Sequence, residues 1–301
     1  MTALPIHPGA PAEPFEARLS ADIILRGWQA GAAAGRPRVL CLHGFPEGPF
    51  VWAPLLAALA GRAHVVAPAL RGYAPSSAPT EVAAYRARHL VEDVAGLVRL
   101  LGAPLDVLVA HDWGGAVAWN FAAQHPGLLR ELVILNAPHP ATLLKALQAD
   151  PAQQAASAYM LDLVRDDAEV RLARDDHAAL AAFFGSSSEV SAAHRAQWRS
   201  GLTGALNFYR ASPLRPPQAL DDPVRQLALP DSLTRVEVPT TVLWGQADPA
   251  LRPVLLDGLE RWVPQLRVRR LPGVGHWVPR EAPEALIEEV SDALDRALRQ
   301  R

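Results

Sequence analysis

The stretch Leu105–Gln124, LDVLVAHDWGGAVAWNFAAQ, decides the fold. Its first part, Leu105 to Ala110, is a largely apolar run that predicts a buried strand, and Ala116 to Gln124 is rich in Ala and predicts a helix. Between these two elements, small residues stand two positions before and two positions after Asp112. That spacing is typical of a sharp strand-to-helix turn, where larger side chains would collide and the residue at the tip is exposed.

The residue at the tip of such a turn is more familiar as Ser, and here it is Asp112. An Asp at this point could simply cap the following helix, because its carboxylate accepts hydrogen bonds from the first helical N–H groups. The small residues on both sides of Asp112 favour an exposed nucleophile instead.

Composition narrows the functional classes. A chain of 301 residues, half of them apolar, can bury a large core as one domain with an insertion or as two domains. A net charge of -2 and a pI near 6.6 argue against nucleic acid or an acidic membrane surface as partner and favour small-molecule chemistry. The single cysteine, Cys41, lies in an apolar run and forms no intrachain disulfide. With no signal-peptide pattern and no apolar run long enough to span a membrane, we expect a cytoplasmic protein; the sequence carries no signal for its oligomeric state.

The first half of the chain alternates strands with helices. The first 15 residues, rich in Pro and Gly, predict an arm outside the core. Strands that are almost continuously apolar, separated by helices, predict a mostly parallel, doubly wound α/β sheet covered on both faces. The predicted strands are centred on Ile23–Leu25 and cover Arg38–Leu42, His64–Ala67, Leu105–Ala110 and Leu132–Leu135, and the predicted helices cover Trp52–Ala60, Tyr85–Leu101 and Ala116–Gln124.

The pattern changes in the middle of the chain. From His139 to Arg235 the sequence indicates Ala-rich helices and no convincing strand. Strand patterns then return at Thr240–Trp244 and Leu266–Leu271, before a final amphipathic helix, Pro283–Leu298. We therefore predict a core domain made of residues 1–138 and 236–301, and an inserted helical cap, or lid, made of residues 139–235.

Three titratable residues follow predicted strands in the order Asp112, Asp248, His276. Nucleophile, acid and histidine occur in this order in the catalytic triad of hydrolases built on such a sheet, here with a carboxylate in the serine position. Taken singly, Asp248 could form a loop turn and His276 could be an ordinary loop histidine. Their joint placement at the ends of three different strands favours a triad.

A carboxylate nucleophile defines the reaction class. Attack by Asp112 on a saturated carbon would leave an alkyl ester on the enzyme, which water activated by His276 would hydrolyse while Asp248 orients the imidazole. By analogy with the serine version, the backbone N–H groups of Phe45 and Trp113 are the predicted oxyanion donors. If the substrate is an epoxide, its departing oxygen needs a proton donor, and a phenol can supply it. Two of the four tyrosines fall in the helical insertion and are candidates: Tyr159 and Tyr209.

Several short motifs resemble those of the epoxide hydrolases of the α/β-hydrolase fold. The resemblance covers nearly the whole chain after residue 18 and is carried by His43–Glu47 (HGFPE), Arg71–Tyr73 (RGY), His111–Gly115 (HDWGG), Asn136–Pro140 (NAPHP) and Leu206–Arg210 (LNFYR).

This resemblance implies an Asp nucleophile at Asp112, a charge-relay acid at Asp248 and a base at His276. It also implies that Tyr159 and Tyr209 on the cap hold the epoxide oxygen. The expected partners are an epoxide and water, with no metal and no cofactor.

One departure from the family pattern is Ala69, where many relatives carry Asp, and we assign that position no catalytic role. We expect further side chains near the motifs to line the substrate pocket: His43, Pro46, Trp113, Phe208 and Trp277.

Three alternatives remain open on the sequence. A haloalkane or haloacid dehalogenase would share the Asp nucleophile, but a leaving halide needs N–H donors. The side chain of Phe45 cannot donate, and the segment after Asp112 contains no Arg to hold a substrate carboxylate. A non-catalytic ligand-binding protein is possible on any such fold, although all three triad residues are present. Esterase activity is disfavoured, because attack of Asp on an ester would form an anhydride that returns readily to reactants.

Overall fold

The computed structural model describes residues 11–185 and 190–301. Eight strands form one sheet in the order β1-β2-β4-β3-β5-β6-β7-β8. Strands β3 to β8 pair with one another in parallel, whereas β2 pairs antiparallel with both β1 and β4. Their bounds are β1 Glu13–Arg18, β2 Ile24–Ala30, β3 Arg38–Leu42, β4 His64–Pro68, β5 Leu105–His111, β6 Leu129–Leu135, β7 Thr240–Gly245 and β8 Leu266–Leu271.

Helices cover both faces of this sheet, so the predicted α/β class is confirmed. Strand β5 lies in the middle and is buried along its whole length. Successive side chains of a strand point to opposite faces, and accordingly Val107 and Val109 belong to one hydrophobic core while Leu108 and Ala110 belong to the other. The covering helices are α1 Ala53–Leu59, α2 Ala87–Leu101, α3 Trp113–Gln124, α11 Val278–Glu281 and α12 Pro283–Leu298.

A helical segment is inserted between β6 and β7. It starts with a proline at the first position of a helix, Pro140, and its last helix ends at Thr234. The assignment of residues 139–235 to a separate cap domain stays a prediction. Within the part of the chain that is described, this insertion contains no strand. Its helices are α4 Pro140–Ala149, α5 Pro151–Ala156, α6 Tyr159–Leu163, α7 Ala168–Ala182, α8 Ala192–Arg199, α9 Thr203–Ala211 and α10 Asp231–Thr234, with non-helical backbone inside α7 at 174–177.

The N-terminal arm needs correction. Residues 1–10 lie outside the described part of the chain, but Glu13–Arg18 forms the edge strand β1, with Phe15 opposite Gly27 of β2. Ala17 is buried by this pairing, and Phe15 packs partly against the core. The expectation failed because an edge strand buries only a few side chains and so has a weak apolar pattern.

The turn between β5 and α3 has the backbone that its small residues predict. Asp112 has φ of +50°, a region that L-residues rarely adopt. Gly114 follows two residues later, and a Cβ there would collide with the backbone carbonyl oxygens of Leu42 and His43. The close approach of α3 to β3 therefore requires glycine. No helix among the described residues is both long and apolar enough to cross a lipid bilayer.

We expect Gly114→Ala to lower the free energy of unfolding by about 1–3 kcal/mol, because the added methyl group meets backbone atoms of β3 and the loop after it, which cannot rotate away. Gly127→Ala is the matched control, since Gly127 is exposed and nothing lies within contact distance of an added Cβ. Urea unfolding of both variants measures the difference. Equal stability of the two variants would contradict the close packing of the turn.

Candidate active site

Asp112 stands at the carboxyl end of β5, where the loops after the neighbouring parallel strands meet. Its Oδ1 accepts a hydrogen bond from the backbone N–H of Phe45 at 2.7 Å, and its side chain makes no capping hydrogen bond to α3. The carboxylate thus faces the loop after β3 instead of serving its own helix. A Cβ on Gly44 would collide with Asp112, so glycine at this point lets the loop reach the carboxylate.

His276 lies between two carboxylates. Its Nδ1 is 2.6 Å from Oδ2 of Asp248, and its Nε2 is 3.7 Å from Oδ2 of Asp112. The short contact to Asp248 fixes the proton on Nδ1, which leaves Nε2 directed toward Asp112. The loops after β5, β7 and β8 therefore bring together the three residues that the sequence singled out.

Asp248 is held rigidly and is fully hydrogen-bonded. Its Oδ1 accepts from the backbone N–H groups of Ala250 and Leu251, at 2.8 and 2.9 Å. Its Oδ2 accepts from Nδ2 of Asn136, at 2.8 Å, as well as from His276. These partners leave Asp248 one orientation, in which it aligns the imidazole.

Asn136 is a functional residue to which the sequence assigned no role. It follows β6 with φ of +33°, a region where Asn is better tolerated than most residues. Its Oδ1 accepts from the backbone N–H of Gly245 at 2.7 Å, while its amide nitrogen donates to Asp248. The side chain therefore ties the end of β6 to the loop that carries Asp248. The NAPHP motif contained this residue, but its partners lie more than a hundred residues away in sequence.

Charge sets the proton affinity of the central imidazole. Burial alone lowers the pKa of His276, but the carboxylate charges of Asp248 and Asp112 outweigh burial and raise that pKa to about 10. Burial likewise favours protonation of Asp248, and the charge and hydrogen bond of His276 overcome this effect and hold the pKa of Asp248 below its usual range. In the free protein the imidazole is therefore cationic between two carboxylates.

Tyr159 of α6 and Tyr209 of α9 approach the same carboxylate from the inserted helices. Their ring centroids are 6.3 Å apart, and the Tyr209 ring lies 5.3 Å from that of Phe45 and 4.9 Å from that of Trp113. Burial raises the pKa of both phenols above the ordinary value, and the charge of Asp112 raises it further. Both hydroxyls stay protonated around neutral pH and can donate hydrogen bonds.

A cavity of about 280 Å³ opens above Asp112, with both tyrosines in its wall. Of the predicted pocket residues, Trp113 and Phe208 line it, but His43, Pro46 and Trp277 do not. The pocket roles of His43, Pro46 and Trp277 therefore stay predictions. The described residues contain no group of three or more His, Cys, Asp or Glu side chains placed to hold a metal ion.

His43, Pro46 and Trp277 each make a contact that holds a loop in place. His43 accepts a hydrogen bond from the backbone N–H of Leu70 at Nε2, and burial lowers its pKa to about 4, so it stays neutral. The carbonyl of Pro46 accepts from the indole N–H of Trp198 at 2.6 Å. The indole of Trp277 stacks on Phe184, with centroids 4.3 Å apart. The last two contacts join loops of the sheet to the inserted segment.

Glu47 is a second buried carboxylate beside the site. It lies between His111 and His194, each 3.6 Å away through a ring nitrogen. Burial raises the pKa of Glu47, but the two histidines lower it more, to about 2. His111 also contacts the backbone carbonyl of His276 at 2.9 Å through Nε2. This cluster connects the HGFPE loop, the turn at Asp112 and helix α8.

We expect Asp248→Asn to lower the pKa of His276 more than Asp112→Asn does, because the charge of Asp248 contributes most to raising it. Two-dimensional NMR of the imidazole resonances across a pH series measures both shifts. With either variant the imidazolium loses its proton at a lower pH than in the parent protein. A larger shift in Asp112→Asn would contradict the assignment of Asp248 as the principal partner.

Comparisons with known proteins show which family the chain belongs to. The model of the α/β hydrolase fold family matches residues 37–283. Epoxide hydrolase 3 of Xenopus tropicalis is 31% identical over 86% of this chain and 71% of its own length, and the AB hydrolase superfamily protein YfhM of Bacillus subtilis is 31% identical over 84% and 89%. Among solved structures, an epoxide hydrolase of Bacillus megaterium in complex with an inhibitor has a TM-score of 0.82 at 28% identity, covering 91% of this chain and 97% of that one. A structure from novel epoxide hydrolases found in metagenomes of hot environments has a TM-score of 0.82 at 34% identity, covering 94% and 98%. The chain therefore belongs to the α/β hydrolase fold family, in the group that includes these epoxide hydrolases.

Proposed function

We propose that the protein hydrolyses an epoxide to a vicinal diol through a covalent ester on Asp112. The observation that carries this proposal is that one carboxylate and two protonated phenols line the same largely apolar cavity. The epoxide hydrolases among the relatives support the same reaction. The helices between β6 and β7 act as the cap, since they carry both tyrosines.

In the first step, Oδ2 of Asp112 attacks one ring carbon from the side opposite the epoxide oxygen. A carbon–oxygen bond forms to the carboxylate as the ring carbon–oxygen bond breaks. The alkoxide that leaves takes a hydrogen bond or a proton from Tyr159 or Tyr209, whose raised pKa values bring them closer to that of an alcohol. Oδ1 of Asp112 becomes the ester carbonyl oxygen and keeps its hydrogen bond from Phe45.

In the second step, water attacks the carbonyl carbon of the ester while Nε2 of His276 takes its proton. The negative charge that develops on the carbonyl oxygen is stabilised by the backbone N–H groups of Phe45 and Trp113. Trp113 is the first residue of α3, so its N–H has no acceptor inside the helix. As the tetrahedral intermediate collapses, the ester bond between the carbonyl carbon and the substrate oxygen breaks, and that oxygen takes a proton from the imidazolium to give the diol. The remaining acid proton returns to His276, and one water oxygen stays in the Asp112 carboxylate.

Formation of the ester prepares His276 for this second step. In the free protein the two carboxylates hold the imidazole cationic, and a cation cannot act as a base. Esterification removes the charge of Asp112, so the pKa of His276 falls and its proton can pass to the phenolate or alkoxide formed by ring opening, which leaves a neutral imidazole at the stage where a base is required. Asp248 keeps its charge and stabilises the imidazolium that forms.

Dehalogenation is the nearest alternative reaction, because it would use the same nucleophile and the same ester. It is less favoured because two phenols line the cavity, and a phenol suits a leaving alkoxide. Halide release from haloalkanes or haloacids, without diol formation from any epoxide, would replace the proposal. Binding of epoxides without turnover would indicate a ligand-binding protein.

The covalent step predicts the source of oxygen. In a single turnover in ¹⁸O-water, with protein in excess over a styrene-type epoxide, we expect diol without ¹⁸O, because its new oxygen comes from Asp112. After several turnovers the label appears in Asp112 and in the diol, and mass spectrometry follows both. Labelled diol in the first turnover would mean direct attack by water.

Replacing one tyrosine tests whether its phenol acts as the general acid in ring opening. We expect Tyr209→Phe to slow ring opening by about 10²-fold, the lower end of what a placed general acid contributes, with Tyr159 still available. Stopped-flow measurement of single turnovers separates ring opening from ester hydrolysis. Tyr73→Phe is the control, because the buried Tyr73 hydroxyl has no hydrogen-bond partner among the described residues and lies outside the cavity wall. Equal rates in the two variants would remove Tyr209 from the reaction.

A further inference from the structure

A single carboxamide lies in the cavity wall away from the reacting groups. Asp112 immediately precedes α3, Ala116 and Asn120 follow it within the helix at intervals of four residues, and all three line the cavity. Residues four apart share one face of a helix. Asn120 therefore stands on the face that carries the nucleophile, about 12 Å further along the helix axis at 1.5 Å per residue.

Only the nitrogen of the Asn120 amide has a hydrogen-bond partner among the described residues. Its Nδ2 donates to the backbone carbonyl of Ala116 at 2.8 Å, whereas its Oδ1 accepts no hydrogen bond from any described residue. The donation fixes the plane of the amide against the helix. Oδ1 is thus an acceptor held in a set orientation with no protein partner.

The surroundings of Asn120 make this acceptor selective. Most of the cavity wall is aliphatic or aromatic, with side chains such as Leu90, Val117, Leu143 and Leu233. Another polar group of the wall already has a partner, since the hydroxyl of Tyr85 donates to the carbonyl of Pro79 at 2.7 Å. In an apolar wall, an acceptor that stays unpaired when the cavity fills loses its hydration without compensation.

We propose that Asn120 determines substrate specificity by accepting a hydrogen bond from the far end of the substrate. The preferred substrates are then terminal epoxides with an apolar body and a hydroxyl or amide N–H group at the other end. This inference rests on the proposed function, because the length of the substrate is counted from the epoxide carbon that Asp112 attacks to the group that reaches Asn120. The apolar wall binds the body of the substrate, and Oδ1 of Asn120 selects its length and its polar end.

The test uses two series of straight-chain terminal epoxides, one ending in a hydroxyl and one with a methyl group in place of that hydroxyl, lengthened by one carbon at a time. The readout is the ratio of kcat/KM between the two members of each pair, which a general loss of activity does not change. At one chain length we expect the hydroxyl member to be favoured by about fivefold, the usual effect of one net hydrogen bond. Shorter pairs, which do not reach Asn120, show no such preference.

Two variants separate recognition from structure. Asn120→Leu has a similar volume but no acceptor, and we expect it to favour the methyl member at the length where the parent protein favours the hydroxyl. Asn120→Gln keeps the carboxamide on a side chain one methylene longer, and we expect the preference to persist with its optimum at a shorter substrate. Thermal unfolding checks that both variants fold.

The outcomes distinguish the two proposals. If no epoxide of either series gives a diol, the proposed function fails. If diols form but the parent protein shows no preference at any length, or if Asn120→Leu keeps the preference, the role of Asn120 is overturned while the function stands. A Gln variant with an unchanged optimum would likewise overturn direct contact.

Discussion

The backbone of Asp112 is the constraint on which the rest of the site depends. A φ of +50° is unfavourable for a residue with a side chain, and such conformations cost of order 1–3 kcal/mol. The surrounding packing compensates for this cost: Gly114 lets α3 approach β3, and Gly44 lets the neighbouring loop reach the carboxylate. As a result the carboxylate projects into the cavity at the N-terminus of α3, where the helix dipole favours negative charge.

Charge balance follows from this placement. One imidazole lies between the carboxylates of Asp112 and Asp248, so in the free protein the triad carries one net negative charge. Formation of an ester on Asp112 would remove one of the two negative charges that hold the imidazolium, so the pKa of His276 would fall and its proton could pass to the oxygen freed by ring opening. The same change frees the imidazole to act as a base. The proposed mechanism therefore uses the electrostatics of one step to prepare the next.

Sequence patterns predicted the central strands and helices better than the edge strand of the sheet and the residues that contact the triad. Strand β3 and helix α12 have the predicted bounds, because an uninterrupted apolar run and a regular helical period depend only on local sequence. The edge strand β1 was missed because it buries little. The position of Asn136 depends on the pairing of β6 with β7, which local sequence does not reveal. His43 and Trp277 were assigned to the pocket from proximity to motifs, and their orientation depends on packing against the core and the inserted helices.

One aromatic cluster joins the inserted helices to the loops that flank Asp112. The ring of Tyr209 packs edge-on against both Phe45 and Trp113, the two residues whose backbone N–H groups are the proposed oxyanion donors. A shift of α9 that moved this phenol would therefore also disturb the side chains that anchor those donors. In the proposed mechanism, ring opening uses the phenol, and ester hydrolysis uses the two N–H groups. Tyr209 packs directly on these two residues. One position of the inserted helices would therefore suit both proposed steps.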